Sequence, residues 1–421
     1  METGRLSSTV PSAAPRGTPG RRFGALRHRN FRLLWLGLLT SNIGTWMQTV
    51  AQGWLVYALT NSTVYLGLVG LCRAVPMVFF PLFGGVLADR VDRIRLLFVT
   101  QSGAAALAFL LAFLVHSGWV TVWHILAIAF FSALLLAFDQ PTRQALLPDL
   151  VTPEDLLSAT SLNAAVFNGA AFVGPALAGL LVPVIGLAGV FYLNALSFGA
   201  VILALVLMRV PERRRVPTGG LWQSFREGLA YVARNDLLRL LIVLAAATSF
   251  FGRSYQQLMP AFARDVLHTD ITGLGFLLSA PGAGTLLGAF GLAALHRPPR
   301  KDHLLLGSVF GFALLLSGLA LCRLFLLAVG LLFLLGVCNA ILGAATQTLL
   351  QLNAPGALRG RVMSLYTICF LGFTPLGSLF SGALAAVIGI PEALAVGAGV
   401  VILSALVVLA TGRPALAARG A

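Results

Sequence analysis

The residues with most scope for chemistry are polar side chains set inside long apolar stretches. Ser41, Asn42, Thr45, Gln48, Thr49 and Gln52 recur within one such stretch, and Ser249, Arg253, Gln256 and Gln257 within another. At about 100° per residue the first group occupies an arc of roughly 120° on a helix, opposite a lipid-type face of Leu39, Trp46, Val50 and Trp54. Polar groups are costly at lipid depth, so a gathered face of them either lines a water-filled cavity or bonds neighbouring helices together. The spacing predicts that both faces line a central cavity. Arg253 is the sharpest residue, because a guanidinium stays charged and no acidic residue lies one turn away on its helix. It requires a partner or a substrate anion, unless it snorkels outward. Arg73 poses the same question, and structural pairing is the favoured reading there.

A second constellation is charged. Gly85, Asp89, Arg90 and Arg93 follow one apolar stretch, and Asp139 and Arg143 close another. Small residues let helices approach, Asp89 can cap the next helix and meet Arg93, and ion pairs that form in one conformation and break in another would make a two-state gate. Asp139 is also the candidate for a proton-responsive group, although an ion pair with Arg93 or Arg143 explains it equally well. His124, near the start of the fourth span, is the ionisable group of near-neutral pKa that could reach a cavity. Gly169, Gly174, Pro175 and Gly179 form a third set: Pro175 removes a backbone donor and the glycines permit close packing, so that helix can bend and seal. No catalytic residue, metal site or cofactor is expected. Metalloprotease, nucleophile-elbow and phosphate-loop motifs are absent from the sequence, and Cys72, Cys322, Cys338 and Cys369 stand singly.

These residues must be positioned by membrane helices. Apolar residues make up 58% of the 421 and charged ones 10%, against about 45–50% and 25% in soluble domains. Such a chain cannot bury its apolar surface in one soluble globule. Twelve apolar spans are predicted, at 33–59, 64–88, 96–115, 120–138, 158–183, 187–208, 237–260, 272–295, 304–322, 325–350, 362–388 and 391–411. Of the 29 Lys and Arg residues, all but Arg73, Arg253, Arg264 and Arg323 fall in the tails and even-numbered loops. The positive-inside rule therefore makes both termini cytoplasmic, and it explains the net charge of +15 without nucleic acid. Residues 1–30 form a predicted disordered tail, 31–208 a first six-helix half, 237–411 a second, and 412–421 a short cytoplasmic tail. The linker 209–236 carries Trp222, Phe225, Leu229 and Val232 at helical spacing, as a helix on the inner membrane surface would.

The halves repeat each other. Gln144, Ser161, Phe167, Gly169, Gly174 and Gly179 match Gln347, Ser364, Phe370, Gly372, Gly377 and Gly382 in one ungapped alignment. In a second, Thr40, Ser41, Gly44 and Gln48 match Thr248, Ser249, Gly252 and Gln256. Six spans per half is an even number, so the repeat is parallel, about an axis along the membrane normal. The fold class is thus an all-α polytopic membrane protein of twelve transmembrane helices in two parallel-repeat halves.

The loop from Gly85 resembles the signature loop of the major facilitator superfamily, departing from it at Asp92 and Ile94. The runs 30–35, 41–44, 139–143 and 359–364 resemble its enterobactin-exporter and macrolide-efflux branch, and Gly174-Pro175 through Gly179 is similar to the superfamily's antiporter motif, with Ala178 where a second Gly often stands. The likeness covers nearly all of 30–410. It implies alternating access and, in that branch, export of small amphipathic molecules against inward proton flow, from a bacterial cytoplasmic (inner) membrane. A neutral or anionic substrate suits a cavity with arginines, and the chain is expected to act as a monomer in the lipid bilayer. Import, lipid or lysolipid flipping, and a non-transporting receptor or scaffold remain the alternatives.

Overall fold

The structure is a computed structural model that describes residues 24–80, 91–208, 229–294, 301–356 and 358–417. Gly85, Asp89 and Arg90 of the signature loop lie outside the described residues, as do Trp222 and Phe225 of the linker. Every regular element among the described residues is helical. That is the expected outcome for an apolar chain whose backbone donors and acceptors must be satisfied without water.

Helix α1 spans Arg29–Thr60 and ends at Asn61, whose left-handed backbone (φ 49°) turns its N–H onto the Tyr57 carbonyl. Helix α2 spans Thr63–Phe79 and α3 spans Arg93–His116. The cap of α3 corrects the expectation for Asp89. The helix begins at Arg93, so Asp92 occupies the capping position and accepts from Ile94 N at 2.7 Å and Arg95 N at 3.2 Å. Helix α4, Val122–Leu150, opens with a capping box in which Thr121 and His124 bond each other's backbone N–H groups. His124 is therefore an exposed cap at the helix start and does not reach the interior.

The helical run Leu156–Leu207 is interrupted at Gly186 (φ 72°, ψ 172°), a left-handed conformation that glycine adopts without a Cβ penalty. It divides the run into α5 (156–185) and α6 (187–207). The helix continues through Pro175 and Pro183, so the break lies at the glycine. Helix α7, Asp236–Val266, contains two π-helical turns, Thr248–Gly252 and Phe262–Val266. It is followed by α8 (Ile271–Ala294), α9 (Lys301–Leu321), α10 (Phe325–Asn353), α11 (Arg359–Ile388) and α12 (Ile390–Ala417). Nine helical runs among the described residues are long and apolar enough to cross a membrane. Counting α5 and α6 separately and adding α1 and the shorter α2 yields the predicted twelve.

Just before α1, Gly24–Arg27 forms a 3-10 turn, and His28 Nε2 meets Asp155 Oδ2 at 2.9 Å. The last part of the predicted disordered tail is thus ordered by contact with the start of α5. Packing places α1 against α5 and α6, α3 against α4 and α6, α9 against α10 and α12, and α8 against α10. Two further pairings, α2 with α11 and α5 with α8, join helices 1–6 to helices 7–12. The predicted lipid-type face of α1 is corrected here. Val50 is buried, and Trp46 packs edge-on against Phe167 of α5 with ring centroids 6.2 Å apart, because α1 is enclosed by neighbours on both sides.

Candidate functional site

Backbone approach between the two sets of helices is closest near one end of the bundle, the end carrying the α1–α2 turn. On α5 and α8, a Cβ added to Gly275 would stand 2.6 Å from the Pro175 carbonyl oxygen, and one on Gly179 would stand 2.9 Å from that of Thr272. Thr272 Oγ1 donates to the Gly179 carbonyl at 3.0 Å, and Ser279 Oγ to that of Phe172 at 2.6 Å. On α2 and α11 the same device recurs: a Cβ on Gly382 would lie 2.5 Å from the Thr63 carbonyl oxygen, to which its own carbonyl answers by accepting from Thr63 Oγ1 at 2.8 Å. A third contact joins α1 to α7, where the Tyr57 hydroxyl donates to Asp265 and the Arg264 guanidinium lies 5.8 Å from the Tyr57 ring. Small residues permit this proximity, and the hydroxyl-to-carbonyl bonds hold it. Pro175 belongs to the same surface, whereas Gly174 faces α1 of its own half, where a Cβ would meet Trp46, and Gly169 faces open space.

The polar residues of α1 are brought to several neighbours. Gln48 is buried, and its Oε1 accepts from Asn194 Nδ2 of α6 at 2.6 Å, with Ser197 bonded to the same asparagine. Gln52 is also buried, and its Oε1 accepts from Arg73 Nη2 of α2 at 2.8 Å. Arg73 therefore has an amide partner and no carboxylate among the described residues. Asn42, Thr45 and Thr49 return their side chains to backbone carbonyls one turn back, at Leu38, Ser41 and Thr45. Ser41 is buried, and Thr45 is the exposed member of the set.

On α7 the arrangement differs. Arg253 Nη1 donates to Asn339 Oδ1 of α10 at 3.2 Å, and its guanidinium carbon sits 4.4 Å from the centre of the Phe370 ring of α11. These three residues line a pocket with Thr248, Phe312, Thr346 and Tyr366. The π-helical turn accounts for the register. In a regular α-helix residues five apart point about 140° away from each other, but the wide turn, closed by Arg253 N–H on the Thr248 carbonyl at 3.0 Å, puts Thr248 and Arg253 on the same pocket. Ser249, within that turn, is fully buried with no partner for its hydroxyl. Gln257 comes within 3.2 Å of where a Cβ on Gly70 of α2 would stand, and Gln256 is half-buried.

At the opposite end of the bundle, Asp139 is buried. Its Oδ1 accepts from Thr100 Oγ1 at 3.0 Å and Gln101 Nε2 at 2.8 Å, both on α3, and its Oδ2 pairs with Arg143 Nε at 2.5 Å one turn on. Arg93 turns to Asp149 Oδ2 at 2.8 Å and the Ala145 carbonyl at 3.0 Å, so it is Arg143 that neutralises Asp139. The Arg93–Asp149 pair and the bonds from Thr100 and Gln101 to Asp139 tie α3 to α4, while the Asp139–Arg143 pair lies within α4.

Reading the sequence did not find Asn194, Asn339, Thr100, Gln101 or Asp149 as partners, nor Tyr57 and Asp265 as a contact. Asn194 did carry a signal, since it is the lone amide within its apolar span, and Asn339 shares its span with Gln347 alone. No cluster of potential metal ligands occurs among the described residues.

The family described as transmembrane secretion effector matches residues 21–419. The staphyloferrin A transporter of Staphylococcus aureus is 27% identical over 365 residues, spanning 83% of this chain and 87% of that protein. The enterobactin exporter of Escherichia coli is 27% identical, spanning 91% and 92%, and macrolide efflux protein A of Streptococcus pyogenes is 25% identical, spanning 86% and 90%. Among solved structures, an occupied, inward-facing bacterial homologue of the human lysosomal transporter Spinster superposes with a TM-score of 0.74 at 14% identity, covering 91% of this chain and 96% of that one. The nucleoside transporter NupG superposes at 0.65 with 15% identity, covering 91% and 98%. At these identities the superpositions speak to the fold.

Proposed function

The chain belongs to the transmembrane secretion effector family of the major facilitator superfamily, and from that membership we propose that it exports a small amphipathic molecule by alternating access, driven by inward proton flow. It is a multi-pass membrane transporter with bacterial relatives that move siderophores and drugs. The observation that carries the mechanism is the placement of the cross-half seals. They gather where α1 meets α7, α5 meets α8 and α2 meets α11 near a single end, while at the other end Asp139 pairs with Arg143 and Arg93 with Asp149, both within the first half. The excess of Lys and Arg in the tails and even-numbered loops supports placing the sealed end at the outer face and both termini in the cytoplasm. In this reading the described state opens inward, and rocking the halves would part the glycine contacts and bring the inner ends together.

Asp139 is the proposed proton-responsive group. Protonation would neutralise Asp139, leave the Arg143 charge without its counter-ion, and weaken the bonds from Thr100 and Gln101 that hold α3 to α4 at the inner end. The remaining members of the two polar faces, Ser41, Asn42, Thr45, Gln48, Thr49, Gln52, Ser249, Gln256 and Gln257, are proposed to border the substrate path. The protein is taken to act as a monomer.

The test is transport by the purified protein in liposomes under an imposed pH gradient, with a pH dye inside and siderophores, macrolides and lysolipids added in turn. Solute-dependent proton movement is expected, together with a pH-independent exchange rate in Asp139→Asn. Solute movement without protons would overturn the coupling and the role of Asp139.

A further inference from the structure

Arg253 is the residue that the transporter reading leaves unexplained. Its guanidinium carries a permanent charge and up to five donors, yet the acceptor it meets among the described residues is a neutral amide oxygen, Asn339 Oδ1. Among the described residues no carboxylate pairs with it. The acidic residues of the second half are Asp236, Asp265, Asp270, Asp302 and Glu392, all at helix ends or in turns, so none shares its depth. Phe370 covers one face of the cation at 4.4 Å. Cation–π contact of this kind offsets part of the desolvation cost without neutralising the charge.

Two further features indicate that the site is built to receive a ligand. The cation opens on a pocket whose walls combine hydroxyls, from Thr248 and Thr346, with the rings of Phe312, Tyr366 and Phe370. The π-helical turn is what brings Arg253 into register with Thr248, at the cost of leaving the Ser249 hydroxyl buried and unbonded.

We infer that this pocket is an anion subsite: Arg253, held by Asn339 and Phe370, binds an oxyanion of the transported molecule while the aromatic wall takes the adjoining ring or apolar body. The substrate class is thereby narrowed from amphipathic solutes in general to amphipathic organic anions, such as aryl carboxylates. The inference rests on the transporter reading only in treating the ligand as cargo.

Binding to the full-length protein in nanodiscs, measured by calorimetry, tests it. The probes are 2-naphthoate, its uncharged methyl ester, 1-naphthyl phosphate and lysophosphatidate. At least one anion is expected to bind about tenfold or more tightly than the ester, and Arg253→Gln should remove that preference. Arg253→Lys should keep part of it, since the charge remains but the fork is lost. Asn339→Asp supplies the missing carboxylate, so it should abolish anion binding about tenfold or more while the protein stays folded, an effect that a purely structural arginine would not show. Binding of lysophosphatidate alone would assign the oxyanion to a lipid headgroup, and binding of the naphthalene anions to a free solute. Equal affinity for ester and acid, binding unaltered in Arg253→Gln and Asn339→Asp, or no saturable binding by any anion would each overturn the inference. Binding without any transport in liposomes would instead leave the subsite standing and defeat the export reading.

Discussion

Helices α1 and α7 hold equivalent places in the repeat, with Gly44 aligned to Gly252 and Gln48 to Gln256, yet their surroundings diverge at those glycines. A Cβ on Gly44 would strike the Asn194 amide and the Ser197 hydroxyl, 2.5 Å away, whereas one on Gly252 would strike the Phe312 ring at 2.9 Å. In the first half the polar groups bond across helices: the Gln48 amide with that of Asn194, and the Arg73 guanidinium with the Gln52 amide. In the second, a cation faces rings and hydroxyls and has a single amide to bond. In the proposed reading, the duplicated helix is a bonded strut in one copy and a ligand-facing wall in the other. The Gln48–Asn194 contact brings two neutral amides together, whereas Arg253, like Arg73, is a guanidinium bonded to one amide that keeps unspent donors and a net charge; what sets Arg253 apart is the pocket of rings and hydroxyls it lines.

The contrast is broken most forcefully through the ion pairs. Asp139→Ala strips Arg143, Thr100 and Gln101 of their acceptor and should cost about 3–5 kcal/mol, read as a fall in detergent-solubilised Tm. Arg253→Gln, which removes a cation that no carboxylate pairs, should leave Tm unchanged or higher. Equal losses in the two variants would show that Arg253 is as structural as Arg143. Next comes the seal shared by both halves. Gly275→Val places side-chain atoms where the Pro175 carbonyl stands, so it should penalise the described state by about 1–3 kcal/mol and lengthen the α5–α8 distance measured between spin labels near that end. An unchanged distance distribution would argue that these helices do not separate in the cycle.

Smaller effects sharpen the comparison. Asn194→Ala leaves the Gln48 carbonyl oxygen without its partner and should lower stability by about 0.6–1.7 kcal/mol, with ligand affinity untouched. Thr346→Val in the Arg253 pocket should do the reverse, changing anion affinity by about fivefold or less at constant Tm. Affinity loss in the first and none in the second would move the binding wall from α7 to α1.

Much of this was legible from residue order. The spans, their number and the repeat follow from apolar runs and glycine spacing, because lipid imposes helical backbone bonding on any such run. Asp139 and Arg143 were legible as a pair because residues four apart on a helix are neighbours in any fold. The isolation of Arg253 from carboxylates also follows from the sequence, since no acidic residue of the second half lies at its depth. The helical wheel of α1, by contrast, grouped Gln48 and Gln52 on one face, and the structure sends them to different helices, α6 and α2. A wheel reports direction about one axis and says nothing of which neighbour occupies that direction. His124 misled for a related reason: its titration range suggested a cavity, but three residues into α4 its nearest unsatisfied partner is the backbone N–H of Thr121.

Amino-acid order alone determined that this is a twelve-helix membrane bundle built from two like halves, because the cost of exposing apolar surface to water, or backbone donors to lipid, is paid residue by residue. Tertiary structure decided what each polar side chain does. Whether an amide is a strut or a contact for cargo depends on which atom of a distant helix comes within about 3 Å. The π-helical turn that brings Arg253 onto the Thr248 pocket is a register shift visible only once the helices are packed.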